Sequence, residues 1–109
     1  MASADDFRRI ALSFPGAEES AHMGHPDFRV RGMIFATLGA PDAGWGAVML
    51  LSEQQELAME AEPEAFKPAA GAWGRGGSTL MRLEAVSEEW LERTLDWAWR
   101  KRAPASLRD

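Results

Sequence analysis

The order of hydrophobic periodicities predicts an α+β fold: a two-layer antiparallel sheet with helices on one face, in the order α-β(3)-α-β(2)-α. Three observations predict it. Period-two segments follow one another directly, without the strand and helix alternation that a parallel sheet requires. The last helical segment carries a broad apolar stripe, wide enough to cover one side of a sheet. At 109 residues the chain suits one domain, residues 1–109, built on one hydrophobic core.

Ser3 and Asp6 have the spacing of a capping box, and Phe7, Ile10, Ala11 and Phe14 then recur at i, i+3, i+4 and i+7. This predicts a short amphipathic helix, ended by Pro15-Gly16. Residues 18–25 read either as a short edge strand or as an irregular approach. Phe28 and Val30 then alternate with Asp27, Arg29 and Arg31, the pattern of a half-buried strand. Arg31-Gly32 turns the chain into a second strand, Met33 to Leu38. The stretch 39–46 is a loop, and Ala47 to Leu51 is the third strand of a meander.

Ser52, with Gln55 three residues on, is an N-cap signal for a helix over Glu53 to Glu62 with Leu57, Ala58 and Ala61 on one face. Pro63 closes it. Phe66 and Lys67 precede Pro68 and read as a short edge strand, since proline cannot donate to a central ladder. Gly71 to Gly77 is expected as a loop and Thr79 to Glu84 as the last strand. Ser87 then caps the final helix, whose core stripe is read as Trp90, Leu91, Thr94, Leu95, Trp97 and Ala98, with Trp99 at its edge. Met33, Ile34, Phe35 and Leu38 put apolar groups on both sides of one strand, so the second sheet face calls for cover by a loop, a second copy or a partner.

The composition narrows function. Cysteine is absent, which excludes disulfides, thiolate metal sites and a cysteine nucleophile, and suits a reducing cytoplasm. The N-terminal residues show no basic then apolar export pattern, and no apolar run approaches the roughly 20 residues of a membrane span. A cytoplasmic protein without a membrane partner is expected. The net charge of −5 runs against broad binding to phosphate backbones, so any nucleic-acid contact must be local. Glu53, Glu56, Glu60, Glu62 and Glu64 lie in a stretch without a base. Lys67, Arg75 and Arg82 span one without an acid. The glutamates read first as the solvated face of a helix.

No catalytic centre is read. The motif G-x-S-x-G is missing, and no pair of carboxylates stands out as acid and base. His22 and His25 are the only histidines, and on an extended chain residues three apart point to opposite faces, so no metal site and no cofactor are expected. The stretch Gly71-Ala72-Trp73-Gly74-Arg75-Gly76-Gly77 matches neither common phosphate-binding glycine motif. It reads as a hairpin tip. Alternatively, Trp73 and Arg75 project to stack on and hydrogen-bond a partner, with Arg29, Arg31 and Lys67 extending the patch. Such a footprint would bind weakly and lose affinity in salt. A small-ligand pocket beside His25, with Trp45 or Trp73 as its aromatic wall, is a further reading.

The segments Gly24-His25-Pro26, Phe28-Arg29-Val30 and Ile34-Phe35-Ala36-Thr37-Leu38, followed by Ser52-Glu53-Gln54-Gln55, Gly71-Ala72-Trp73-Gly74-Arg75 and Ala98-Trp99-Arg100, resemble the MmcQ/YjbR-like family across nearly the whole chain. The resemblance implies the α-β(3)-α-β(2)-α layout and small bacterial proteins often labelled DNA-binding. Two expectations follow: a non-enzymatic DNA-binding module using Arg29, Arg31, Trp73 and Arg75, or a protein-interaction or homodimeric adaptor using the apolar second sheet face.

Overall fold

In a computed structural model, residues 2–108 are described. Helix α1 spans Ala4–Leu12. Four strands follow: β1 (Ala17–His22), β2 (His25–Val30), β3 (Met33–Leu38) and β4 (Trp45–Met49). Helix α2 (Ser52–Ala61) leads to β5 (Phe66–Pro68), a five-residue helix α3 (Gly71–Arg75) and β6 (Ser78–Arg82). The long helix α4 (Glu88–Arg102) and the short α5 (Ala105–Arg108) close the chain. The expected order is present with additions: residues 17–22 form a strand, a short helix occupies part of the predicted 71–77 loop, and α5 is new.

The six strands form one sheet in the order β1-β2-β3-β4-β6-β5, with every neighbouring pair antiparallel. β1 and β5 are therefore its edges. Two-residue hairpins link β1 to β2 and β2 to β3. Their first residues, Met23 and Arg31, take left-handed φ values of 49° and 52°, the conformation that matches the twist of paired strands. The capping box at α1 forms as read: Ser3 Oγ accepts from the Asp6 amide at 3.1 Å, and Asp6 Oδ2 accepts from the Ser3 amide at 3.0 Å.

Helices α1 and α4 lie over one sheet face. Phe7 of α1 meets Phe28 of β2 with ring centres 5.8 Å apart, and Phe35, Val48, Met81, Leu91 and Leu95 are wholly buried around them. Each such side chain contributes roughly 1.5–3 kcal/mol on leaving water. Strict alternation fails at one place. Phe28 pairs with Ala36 but Arg29 pairs with Ile34, which leaves Phe35 as an extra residue in β3. The bulge turns Phe35 toward the helices, where its ring sits edge-on to Phe14 at 6.5 Å. The apolar excess of β3 is thus partly absorbed by the core.

Two packing expectations are corrected. On α4 the buried aromatic residue is Trp99, 3% exposed, whereas Trp90 and Trp97 are half-buried and lie edge to face with each other. Trp99 stacks on Phe14 at 5.6 Å and its Nε1 donates to the Pro15 carbonyl at 3.0 Å. A polar partner for the indole is what lets it go fully inside. On α2 the buried residues are Gln55 and Ala58, while Leu57 and Ala61 face water. Gln54 rather than Gln55 closes the α2 start, its Oε1 accepting from the Leu51 amide at 3.0 Å. No helix among the described residues is long and apolar enough to cross a membrane.

Candidate functional site

Because Phe28 faces the helices, its neighbours Asp27 and Arg29 face the other way, onto a sheet surface that no long helix covers. Asp27 is nevertheless wholly buried. Its Oδ1 accepts from Arg29 Nε at 2.8 Å and its Oδ2 from Arg29 Nη2 at 3.0 Å, a two-pronged pairing within one strand. His22 of β1 adds a third contact, Nδ1 to Asp27 Oδ2 at 2.7 Å. The Arg29 guanidinium holds the Asp27 carboxyl below its usual range; burial works against it, and the His22 hydrogen bond adds to the lowering. An ionised Asp27 can only accept, so His22 Nδ1 carries the hydrogen and Nε2 is the ring's free nitrogen.

Beside this cluster runs a groove of about 380 Å³ lined by His22, Gly32, Met33, Ile34, Thr37, Met49, Trp73 and Arg102. Among the described residues its lining holds no carboxylate. Trp73 is 77% exposed and Met33 48% exposed, so the groove's aromatic and apolar walls are open to a ligand. Arg102 enters from the last turn of α4. Lys101 beside it donates from Nζ to the Leu50 carbonyl at 3.1 Å, tying that helix end to the end of β4. Burial, then the Arg102 charge, pushes the Lys101 ammonium pKa down.

The wall that carries Trp73 is built by the glycine-rich segment. Gln55 Nε2 reaches inward from α2 to lie 3.1 Å from Gly74 O, 3.2 Å from Ser78 O and 3.0 Å from Thr79 Oγ1. A Cβ at Gly74 would overlap the Ala69 carbonyl, and one at Gly77 the Leu50 carbonyl. Both glycines are there for close backbone approach, and Gly77 also needs its φ of +107°. The 71–77 segment is therefore a pinned helical turn rather than an open hairpin tip.

The predicted contact residues fall in two groups. Trp73 lines the groove, Arg75 ends the same short helix, and Arg31 precedes the groove residue Gly32 in the β2–β3 turn. Neither Arg31 nor Arg75 forms an ion pair among the described residues, and Glu62 turns instead to accept from the Ser87 amide at 2.9 Å. Arg29 lies apart from these, with its fork already on Asp27. Arg82 is likewise engaged, by Glu84 at 2.6 Å.

His25 and Trp45 sit on the open face on either side of Gly39: His25 Nδ1 lies 3.6 Å from where a Gly39 Cβ would be, and the Gly39 amide donates to Trp45 O at 2.8 Å. They do not line the groove. Trp45 carries Lys67 Nζ over its ring at 4.8 Å and borders a separate cavity of about 310 Å³ near Arg82 and Glu84. His22 and His25 stand opposite each other across the first hairpin, ring centres 6.4 Å apart, so the turn at Met23-Gly24 brings them to one face. Among the described residues no three or more His, Asp or Glu side chains converge to hold a metal ion.

The sequence reading weighs His22 for a metal site alone and gives Arg102 no contact role, yet both line the groove. Arg102 carries the signal of a helix-end cation, which the dipole explains without any ligand. His22 carries a usable one: once 18–25 is read as a hairpin about Met23-Gly24, His22, His25 and Asp27 share a face.

The YjbR family model matches residues 12–101 of the chain. No curated protein matches. Among solved structures, the Deinococcus radiodurans protein DR2400, described as a DUF419 domain, is similar with a TM-score of 0.75 and 18% identity, over 99% of this chain and 86% of that one. At that identity the likeness establishes the shared fold.

Proposed function

The chain belongs to the YjbR family, and from that premise we propose that it is a binding module holding single-stranded DNA against the open face of its sheet. The supporting observation is the groove itself: an exposed indole, an imidazole and a guanidinium in one lining that holds no carboxylate among the described residues. An indole face stacks on any base for about 1–3 kcal/mol, and Arg31 and Arg75 flank the groove as free phosphate partners. A base within a duplex is stacked on its neighbours and cannot reach Trp73. An unpaired strand can. The net charge of −5 repels the rest of a polyanion, so the footprint is short and the affinity salt-sensitive.

A binding role is favoured over an enzymatic one by the same lining. Among the described residues His22 is a base with no acid placed opposite it in the groove, and Asp27 behind it is occupied by Arg29. The test is fluorescence anisotropy of a labelled oligothymidine and of a duplex across a salt series. The single strand should bind more tightly at low salt, and Trp73→Ala should weaken it about tenfold, one stacked base. Absence of binding by either nucleic acid at low salt would remove the proposal.

Self-association through the same face is the second reading, favoured by the exposure of Met33 beside Trp73. Sedimentation at micromolar concentration decides it, since a dimer would bury Trp73 and a monomer leaves it free.

A further inference from the structure

Arg102 is half-buried, and its Nε is fully shielded yet has no hydrogen-bond partner among the described residues. A charged donor that has shed its water without gaining an acceptor is costly, and native proteins seldom leave one so. Arg102 lines the groove, so a turn of its side chain would bring the unpartnered donor to an acceptor entering there. The groove's other polar wall is His22, with Nδ1 spent on Asp27 and Nε2 as its remaining nitrogen. The charged and titratable groups beside His22 are Asp27 and Arg29, already paired to each other, His25 across the hairpin, and Arg102 in the same lining. Among the described residues Arg102 and His22 are left as the polar groups to meet a ligand: a guanidinium that donates to an anion and an imidazole nitrogen that accepts a hydrogen.

We infer that the groove takes the end of a DNA strand, with the terminal base on Trp73 and a terminal phosphate monoester between Arg102 and His22. This rests on the DNA-binding reading above and adds which part of the strand is held. A phosphodiester inside a strand carries one charge. A terminal monoester carries close to two at neutral pH and offers three terminal oxygens. One guanidinium suffices for the first, while a guanidinium facing a hydrogen-accepting Nε2 matches the second, whose additional oxygen can carry the hydrogen that Nε2 accepts. The groove's volume of about 380 Å³ lies near the lower end of small-ligand pockets, which suits a single nucleotide rather than a run of them. Arg31 and Arg75 lie outside the lining, placed for the phosphates that follow.

The experiment compares short oligothymidines labelled in mid-strand, ending in hydroxyls or in a phosphate at the 5′ or the 3′ end. They are titrated into the wild-type protein, Arg102→Met and Trp73→Ala. A phosphate at one end should tighten wild-type binding about tenfold, the scale of a charge-assisted contact. Arg102→Met should bring the phosphate-ended and hydroxyl-ended strands to equal affinity, whatever it costs the hydroxyl-ended one; Trp73→Ala should weaken all strands and keep the increment. Equal wild-type affinities for all three strands would overturn this inference while leaving the DNA-binding reading intact, and that comparison needs no variant to fold. No binding of any strand would overturn both. Thymidine 5′-monophosphate binding as tightly as the phosphorylated strand would also overturn it, replacing a strand end with a free nucleotide as ligand.

Discussion

Removing Arg29 should cost more stability than removing the charge of Asp27, although the two form one ion pair. Asp27 is wholly buried, while the Arg29 side chain is 32% exposed and that of His22 39% exposed. Asp27→Asn leaves an arginine and a histidine that can both turn to water, and an amide that keeps part of the hydrogen bonding. The loss is then about 1–2 kcal/mol. Arg29→Met instead strands a carboxylate out of water with only His22 beside it. A buried carboxylate stripped of its main cation costs about 3 kcal/mol, the low end of the usual range.

The two effects differ in pH dependence as well. In the wild type the Asp27 pKa is depressed, chiefly by Arg29, so its contribution is present above the unfolded-state value of about 3.9 and is lost as the pH falls through the folded-state value. Without Arg29 the largest lowering cause is gone, so the folded-state pKa rises above its wild-type position and the variant loses less than wild type as the pH falls. Its deficit against wild type should therefore shrink from about pH 7 to about pH 4. Urea unfolding followed by tryptophan fluorescence at both pH values measures all of this. An Asp27→Asn loss equal to or above that of Arg29→Met, or an Arg29→Met deficit equal at the two pH values, would refute the reasoning.

Gly77→Ala should destabilise by about 3 kcal/mol or more, because it combines a left-side φ with overlap of the Leu50 carbonyl, read as a fall in Tm. Trp99→Ala should cost about 3–5 kcal/mol in chemical denaturation, emptying the stack on Phe14 and leaving the Pro15 carbonyl unmet. Ser3→Ala removes one half of the α1 capping box and should cost about 1 kcal/mol by the same measurement.

The fold was legible where a local rule decides. The Ser3 box, the Phe28 and Val30 alternation, the edge position of a strand ending in Pro68 and the Ser87 cap all depend on residues within one turn or one strand. What escaped depends on distant partners. Trp99 is inside because Pro15, far away in sequence, offers a carbonyl to its indole. Gln55 is inside because Gly74, Ser78 and Thr79 meet it there. The 71–77 glycines spoke for a flexible tip, yet two of them mark carbonyls pressed close, a condition that composition does not carry. For the site, Trp73 and Arg75 were named from aromatic and cationic character alone. Arg102 and His22 needed the sheet order and the course of α4 to be brought together.

The borders of the sheet have a consequence for crowding. On one border Glu18 is an exposed carboxylate beside the Arg8–Glu19 ion pair at 2.8 Å; the opposite border is a three-residue strand whose last member, Pro68, has no amide hydrogen to offer. A neighbouring molecule arriving sideways meets repulsion on one flank and a gap in the hydrogen-bonding register on the other. Ribbon growth by strand addition is thereby blocked at both margins, and concentrated solutions of this chain should resist fibril formation.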